Sequence, residues 1–198
     1  MNPWGGGAFL GSDVESATDE ALVRATRAGD LQAFDALYAR YAQRLYSYLL
    51  RLVKVRAEAE DLVQEVFLTV LEDRTLELRP GRFAGWLFTV ARNRAVERAR
   101  TSARREAKAT RIAQPPPSPD PEALALDKEV MARMERALSE LSEPHREVLL
   151  LKAVGGLTYA QIAAVQAVPE GTAKSRVHFA VRAVRALFRE DNDDPKAT

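Results

Sequence analysis

The side chains in this sequence that could do chemistry are cations, hydroxyls and amides set along helical stretches, and the chemistry they suit is the binding of a polyanion. Past Pro169, the residues Thr172, Ser175, Arg176 and Arg182 fall on one face of a helix by the i, i+3, i+4 rule, with Lys174 beside them. Such a face can enter a major groove and donate to phosphates and base edges. A second set lies on an expected helix over residues 83–103, where Thr89, Arg92, Asn93, Val96 and Arg100 line one side and Trp86 stands at its border. A basic face with an aromatic edge suits single-stranded nucleic acid, because the cations take phosphates and the ring takes an unstacked base. Covalent chemistry has no comparable support. His145 follows Pro144 at a helix start and His178 lies in a basic helix, neither with an acid or nucleophile paired to it by sequence. With 2 histidines and no cysteine there is no zinc-type ligand set, so catalytic, cofactor-binding and metal residues are all expected to be none. The chain is expected not to be an enzyme.

Positioning these groups requires two short helices around a tight corner. Thr158 followed by Gln161 fits a capping box, so one helix can start there. Pro169 pre-sets the first turn of the next helix and biases Val168 away from helical geometry. The corner is then about three residues, Gln166 to Val168, the spacing of a helix-turn-helix. Upstream the pattern is helical almost throughout, and no stretch shows strand alternation, so the expected class is all-α. Helices are expected over 19–28, 31–53, 57–71 and 83–103, then 124–141 and 142–154, with Gly155 and Gly156 as a stop. Between the two groups lies Gln114-Pro115-Pro116-Pro117-Ser118-Pro119-Asp120-Pro121, which a helix cannot traverse. The expected organisation is a loose tail over 1–18, a helical domain over 19–103, a Pro-rich flexible linker over 104–123, a second helical domain over 124–189 and an acidic tail over 190–198.

Composition narrows the class further. A chain with 46% hydrophobic and 29% charged residues is ordinary globular material. No apolar run approaches the roughly 18 residues that cross a bilayer, and the start lacks a basic n-region, so membrane insertion is not expected and a cytoplasmic location is. The net charge of +1 conceals an asymmetry: between positions 82 and 111 there are nine Lys and Arg against Glu97 and Glu106. That is a local footprint for a polyanion.

On the expected helix over 57–71, Leu62, Val63, Val66, Phe67 and Val70 form a stripe for burial, while Asp61, Gln64, Glu65 and Leu68 occupy another face, acidic with one leucine. Taken alone, such a face is most often merely solvated. Together the blocks carry more. Asp61-Leu62-Val63-Gln64-Glu65-Val66-Phe67, then Phe83-Ala84-Gly85-Trp86-Leu87-Phe88-Thr89-Val90-Ala91-Arg92-Asn93, then Leu157 to Arg176, resemble in order and spacing the signature blocks of bacterial sigma factors of the sigma-70 family, extracytoplasmic-function group. The resemblance covers about 19 to 188. It implies a dissociable subunit that binds core RNA polymerase, directs it to promoter DNA and assists strand opening. By the same resemblance Asp61, Gln64, Glu65 and Leu68 face the polymerase clamp helices. The loop over 72–82 with Trp86, Thr89, Arg92, Asn93 and Arg100 serves the minus-ten element and its melting. Thr172, Lys174, Ser175, Arg176, Phe179 and Arg182 serve the minus-thirty-five element. An anti-sigma factor is an implied partner, though no residue identifies one.

The sequence departs from the family pattern at four positions. Gln161 stands where an acid is usual, Ala167 where the corner usually has glycine, and Phe179 and Val181 where cations are common. Alanine at a corner that needs positive φ would cost about 1 kcal/mol. Phe179 shares the face of Thr172, Ser175 and Arg182, away from the stripe Val177, Ala180, Val181, Val184 and Phe188. It could touch a thymine methyl or anchor a protein partner, with the partner somewhat favoured. Two rival readings stay open at this point. One is a stand-alone helix-turn-helix transcriptional regulator. The other is a helical adaptor that has lost promoter recognition.

Overall fold

The computed structural model describes residues 16–73, 79–108 and 136–190. The chain divides into two compact units between Pro116 and Pro117, and among the described residues the regular structure is helical, with no strand.

The first unit contains α1 (Asp19–Arg27), α2 (Leu31–Val53), α3 (Arg56–Glu72) and α4 (Phe83–Lys108). Local chemistry sets their ends. The Thr18 hydroxyl accepts from the Ala21 amide at 3.3 Å, and the Asp30 carboxylate accepts from the Gln32 and Ala33 amides at 2.9 and 3.2 Å. Each bond satisfies a donor that the first helical turn cannot pair internally. Gly29, at φ 93°, ends α1, and Lys54 closes α2 in the left-handed region.

The core of this unit includes the stripe expected on α3, with Leu62, Val63, Val66, Phe67 and Val70 all buried, as are Leu37, Leu45 and Leu49 of α2 and Leu87 of α4, the two helices on which α3 packs. Tyr48 and Phe88, both fully buried, meet edge to face at 5.4 Å. Burial of each such side chain contributes about 1.5–3 kcal/mol. A deletion such as Leu62→Ala would cost about 2–5 kcal/mol through lost contacts and the cavity left behind.

The last residues of the expected tail are held against α2, since Arg40 donates to the Ala17 carbonyl at 3.1 Å and to Asp19 at 2.7 Å. Helix α4 also differs from expectation, running to Lys108 rather than ending at 103. The segment over 101–108 has no glycine or proline, and six of its eight residues are Ala, Arg, Glu or Lys, which sustain a helix. Residues 104–108, expected in the linker, are therefore helical. The rest of that linker, residues 124–135 of the helix expected over 124–141, residues 74–78 of the loop expected over 72–82, residues 1–15 and residues 191–198 lie outside the described residues.

The second unit contains a helical turn at 136–139, then α5 (Glu143–Ala153), α6 (Tyr159–Gln166) and α7 (Glu170–Glu190). Its core joins Val148, Leu151, Leu157, Ile162, Val165, Ala173, Val177 and Ala180. Val181 and Val184, expected in that stripe, are only half-buried, and the side chain of Phe188 lies outside the described residues. The capping box forms as its spacing predicts: the Thr158 hydroxyl accepts from the Gln161 amide at 3.3 Å, and Gln161 Oε1 accepts from the Thr158 amide at 2.9 Å. At the corner Ala167 takes φ 52° and ψ 46°, while the Val168 amide donates back to the Ala163 carbonyl at 3.0 Å. This is the left-handed helix ending that glycine usually provides. Here alanine carries its strain.

Candidate nucleic-acid interface

Helix α7 packs on α5 and α6 through Ala173, Val177 and Ala180, which leaves the opposite side outward. Lys174, Ser175, Phe179 and Arg182 are exposed there, as their spacing predicts. Thr172 and Arg176 are half-buried instead. The reason at Arg176 is a relay between helices: its Nη1 donates to Gln166 Oε1 at 2.8 Å, and Gln166 Nε2 donates to Glu147 Oε2 at 2.9 Å and to the Pro144 carbonyl at 3.1 Å. Glu147 is buried, so the relay fixes the guanidinium from the core side. A guanidinium has five donors in a rigid fork, so this bond orients the group without using its whole capacity.

Two residues of this surface were not assigned to it from sequence. His178 is exposed and stacks on Tyr159 with ring centroids 6.3 Å apart, and the Lys152 ammonium lies 4.9 Å from the Tyr159 centroid. The signal was available, because His178 is three residues after Ser175 and four before Arg182. Arg185, also exposed, extends the same cationic strip.

In the first unit, Trp86 is half-buried and stacks on Phe83 with centroids 6.0 Å apart. Phe83 in turn meets Tyr41 edge to face at 5.5 Å, and the Tyr41 hydroxyl donates to Asp19 Oδ2 at 2.5 Å. Burial and the neighbouring Asp19 carboxylate push the Tyr41 hydroxyl well above the usual tyrosine range. The indole border position is thus supported from α1 through the core. Along the same side of α4, Asn93 and Arg100 are exposed, Arg92 is half-buried, and Thr89 donates back to the Gly85 carbonyl at 2.8 Å.

The acidic face of α3 is divided. Gln64 and Leu68 are exposed, Leu68 at 53%, and the Asp61 side chain is 65% exposed. Glu65 is not an open acid. Its two oxygens accept from Arg98 Nη2 at 2.5 Å and Arg94 Nη1 at 3.3 Å, and Arg94 Nη2 also donates to the Thr69 hydroxyl at 3.0 Å. Arg98 lies 3.6 Å from Asp61 as well. Asp61, Gln64 and Leu68 therefore face outward together, while Glu65 joins α3 to α4. Among the described residues no helix is long and apolar enough to cross a membrane, and no cluster of His, Asp and Glu is placed to hold a metal.

Two helical units, one with a basic and aromatic helix and one with a helix-turn-helix, define a class of protein built to engage nucleic acid. Comparison with known proteins agrees. Residues 37–105 match the family model for sigma-70 region 2, and residues 131–184 match that for sigma-70 region 4. The ECF RNA polymerase sigma factor SigL of Mycobacterium tuberculosis is 37% identical over 176 residues, covering 86% of this chain and 97% of that protein. The RNA polymerase sigma factor CarQ of Myxococcus xanthus is 35% identical over 171 residues, covering 83% of this chain and 94% of its own length. Among solved structures, CnrH bound to the cytosolic domain of CnrY shares the fold with a TM-score of 0.62 at 24% identity, covering 87% of this chain and 98% of that one. RpoE bound to the anti-sigma factor NepR from Bartonella quintana gives 0.57 at 24% identity, covering 79% and 96%. The chain belongs to the sigma-70 family, in its extracytoplasmic-function group. As a member it is a dissociable sigma subunit that directs RNA polymerase to promoters.

Proposed function

We propose that the two units divide promoter recognition between them. In the first, Asp61, Gln64 and Leu68 meet the clamp helices of core polymerase, with Glu65 behind them holding α3 to α4. The exposed acid supplies steering and register and the leucine an apolar anchor. The α4 side with Trp86, Thr89, Arg92, Asn93 and Arg100 takes the minus-ten element as it opens, offsetting the few kcal/mol needed to unstack a base. In the second, α7 enters the major groove at the minus-thirty-five element through Thr172, Lys174, Ser175, Arg176, Phe179 and Arg182, joined by His178. The domains serving these roles span 19–103, extended by the α4 residues to 108, and 124–189. The protein acts in the cytoplasm, without a catalytic step of its own, and an anti-sigma factor is its regulatory partner.

The observation that carries this reading is the cationic strip of Lys174, Arg182 and Arg185 around Ser175, exposed on the second helix of a helix-turn-helix. Run-off transcription with purified core polymerase and a genomic promoter library tests it. New transcripts that share paired upstream elements are expected only when the chain is added. Specific duplex binding by the chain without polymerase, and no transcript with it, would favour a stand-alone regulator instead.

A further inference from the structure

We infer that Phe179, held by His145, is a specificity-determining residue that reads the 5-methyl group of a thymine in the major groove. The inference rests on α7 being the promoter-facing helix and adds the base feature it reads and the side chain that positions the reader.

Phe179 is 47% exposed, and among the described residues of the second unit no other large apolar side chain is exposed. Yet it is not loose. Its ring lies 4.5 Å from the His145 imidazole, centroid to centroid, at 38°. His145 is itself restrained, with Nδ1 2.7 Å from the Ser142 hydroxyl and its amide donating to the Ser142 carbonyl at 3.0 Å. Ser142 stands at the N-cap of α5, but its hydroxyl makes no bond to the helix amides. The side chain that would ordinarily cap the helix instead fixes the ring behind Phe179.

The surroundings decide what the exposed part of the ring meets. Ser175 lies one helical turn before Phe179 and Arg182 one turn after, both exposed, with Lys174 and Arg185 flanking them. A partner helix docking here would want apolar residues at i, i+3, i+4 and i+7, and this face offers Ser175 and Arg182 in those places. One large apolar ring within a polar and cationic strip suits a polyanion that presents a single apolar group. The thymine methyl is that group, the apolar feature of a base-pair edge in the major groove.

The test uses the full chain with core polymerase on a duplex promoter recovered by run-off transcription, replacing each thymine of the minus-thirty-five region in turn by deoxyuridine. This removes the methyl and keeps the pairing. One position is expected at which deoxyuridine weakens wild-type binding about fourfold, the worth of one buried methyl. Phe179→Ala, or Phe179→Gln should alanine unfold the unit, binds the thymine and uridine duplexes equally. His145→Ala shrinks the methyl ratio while leaving the salt slope of binding unchanged, because no phosphate contact is lost. His145→Phe, which keeps a ring against Phe179, restores most of the ratio. Promoter binding with no methyl-sensitive position, or a Phe179→Ala variant that keeps full sensitivity, overturns the inference alone. A variant that loses an anti-sigma partner while its methyl ratio is untouched makes the ring a protein anchor and overturns it too. Absence of any promoter-dependent binding by the wild-type holoenzyme sinks the reading of α7, and this inference with it.

Discussion

Glu65 on α3 and Arg98 on α4 are joined at 2.5 Å, and Arg98 also lies 3.6 Å from Asp61. One cation of α4 is therefore held by two acids of α3, the helix proposed to meet polymerase. The two acids have different exposures, which separates their roles. Asp61→Lys is expected to weaken core binding several-fold with little change in melting temperature, since exposed charges govern encounter and register more than folding. Glu65→Lys places a third cation beside Arg94 and Arg98 and should destabilise the first unit. After discounting for partial exposure, the loss is roughly 1 kcal/mol, or about 4–8 °C for a unit of this size. Competition binding to core polymerase and thermal denaturation of each single variant check this. Equal loss of core affinity in both, without a drop in melting temperature, would return Glu65 to the open face.

Trp86 sits between a core role and a surface role, stacked on Phe83 yet half-exposed. Trp86→Ala is expected to reduce open-complex formation on duplex promoters more than on templates already mismatched at the minus-ten region, where melting has no cost left. The lost stacking should also lower stability by about 1–3 kcal/mol, less than the full cost of a buried aromatic. Trp86→Phe separates the effects, because it retains a ring against Phe83. Equal impairment of the alanine variant on both templates would mean that Trp86 acts only through stability.

Faces and helix starts were legible in the sequence, because periodicity and caps are local. The α3 stripe, the Thr158 and Gln161 capping box and the outward position of Ser175 and Phe179 follow from spacing alone. What crosses from one helix to another was not legible. Nothing within α3 tells that Glu65 meets Arg94 and Arg98 rather than a partner, and nothing within α7 tells that Gln166 draws Arg176 inward. The late end of α4 was missed for a related reason, since a helix without a stop signal continues until its surroundings end it. The place of His178 on this face follows from its position between Ser175 and Arg182, whereas its stacking on Tyr159 crosses from one helix to another.

The bond from Tyr41 to Asp19 gives stability a dependence on alkaline pH. Burial and the carboxylate raise the folded-state value of the hydroxyl, so the folded chain keeps a proton that the unfolded chain releases. The stabilisation is fully present below the ordinary tyrosine value of about 10 and is lost as pH rises above it. The melting temperature of the first unit is therefore expected to hold through neutral pH and to fall from about pH 10 upward. In Tyr41→Phe the neutral melting temperature should be lower, since a hydrogen bond to a charged group is worth about 1.5–3 kcal/mol, and the alkaline slope should be shallower. A slope as steep as in the wild type would assign the alkaline loss to other groups.

Ala167 and Val168 form the corner that orients α7, and Ala167, an exposed residue, holds φ 52° there. A residue with a β-carbon pays roughly 1–2 kcal/mol for this geometry and glycine does not. Against that stands the greater unfolded-state freedom of glycine, which returns about 0.4–1 kcal/mol to the unfolded chain. Ala167→Gly is thus expected to stabilise the second unit by roughly 0.5–1 kcal/mol. Ala167→Asn, which tolerates the left-handed region, should fall between, and Ala167→Val should be clearly worse than the wild type because β-branching resists positive φ. Thermal denaturation of the three variants gives the order. Since Ala167 is exposed and glycine adopts the same backbone geometry, minus-thirty-five binding by the glycine variant should change little. A glycine variant less stable than the wild type would show that the corner does not hold alanine in the left-handed conformation.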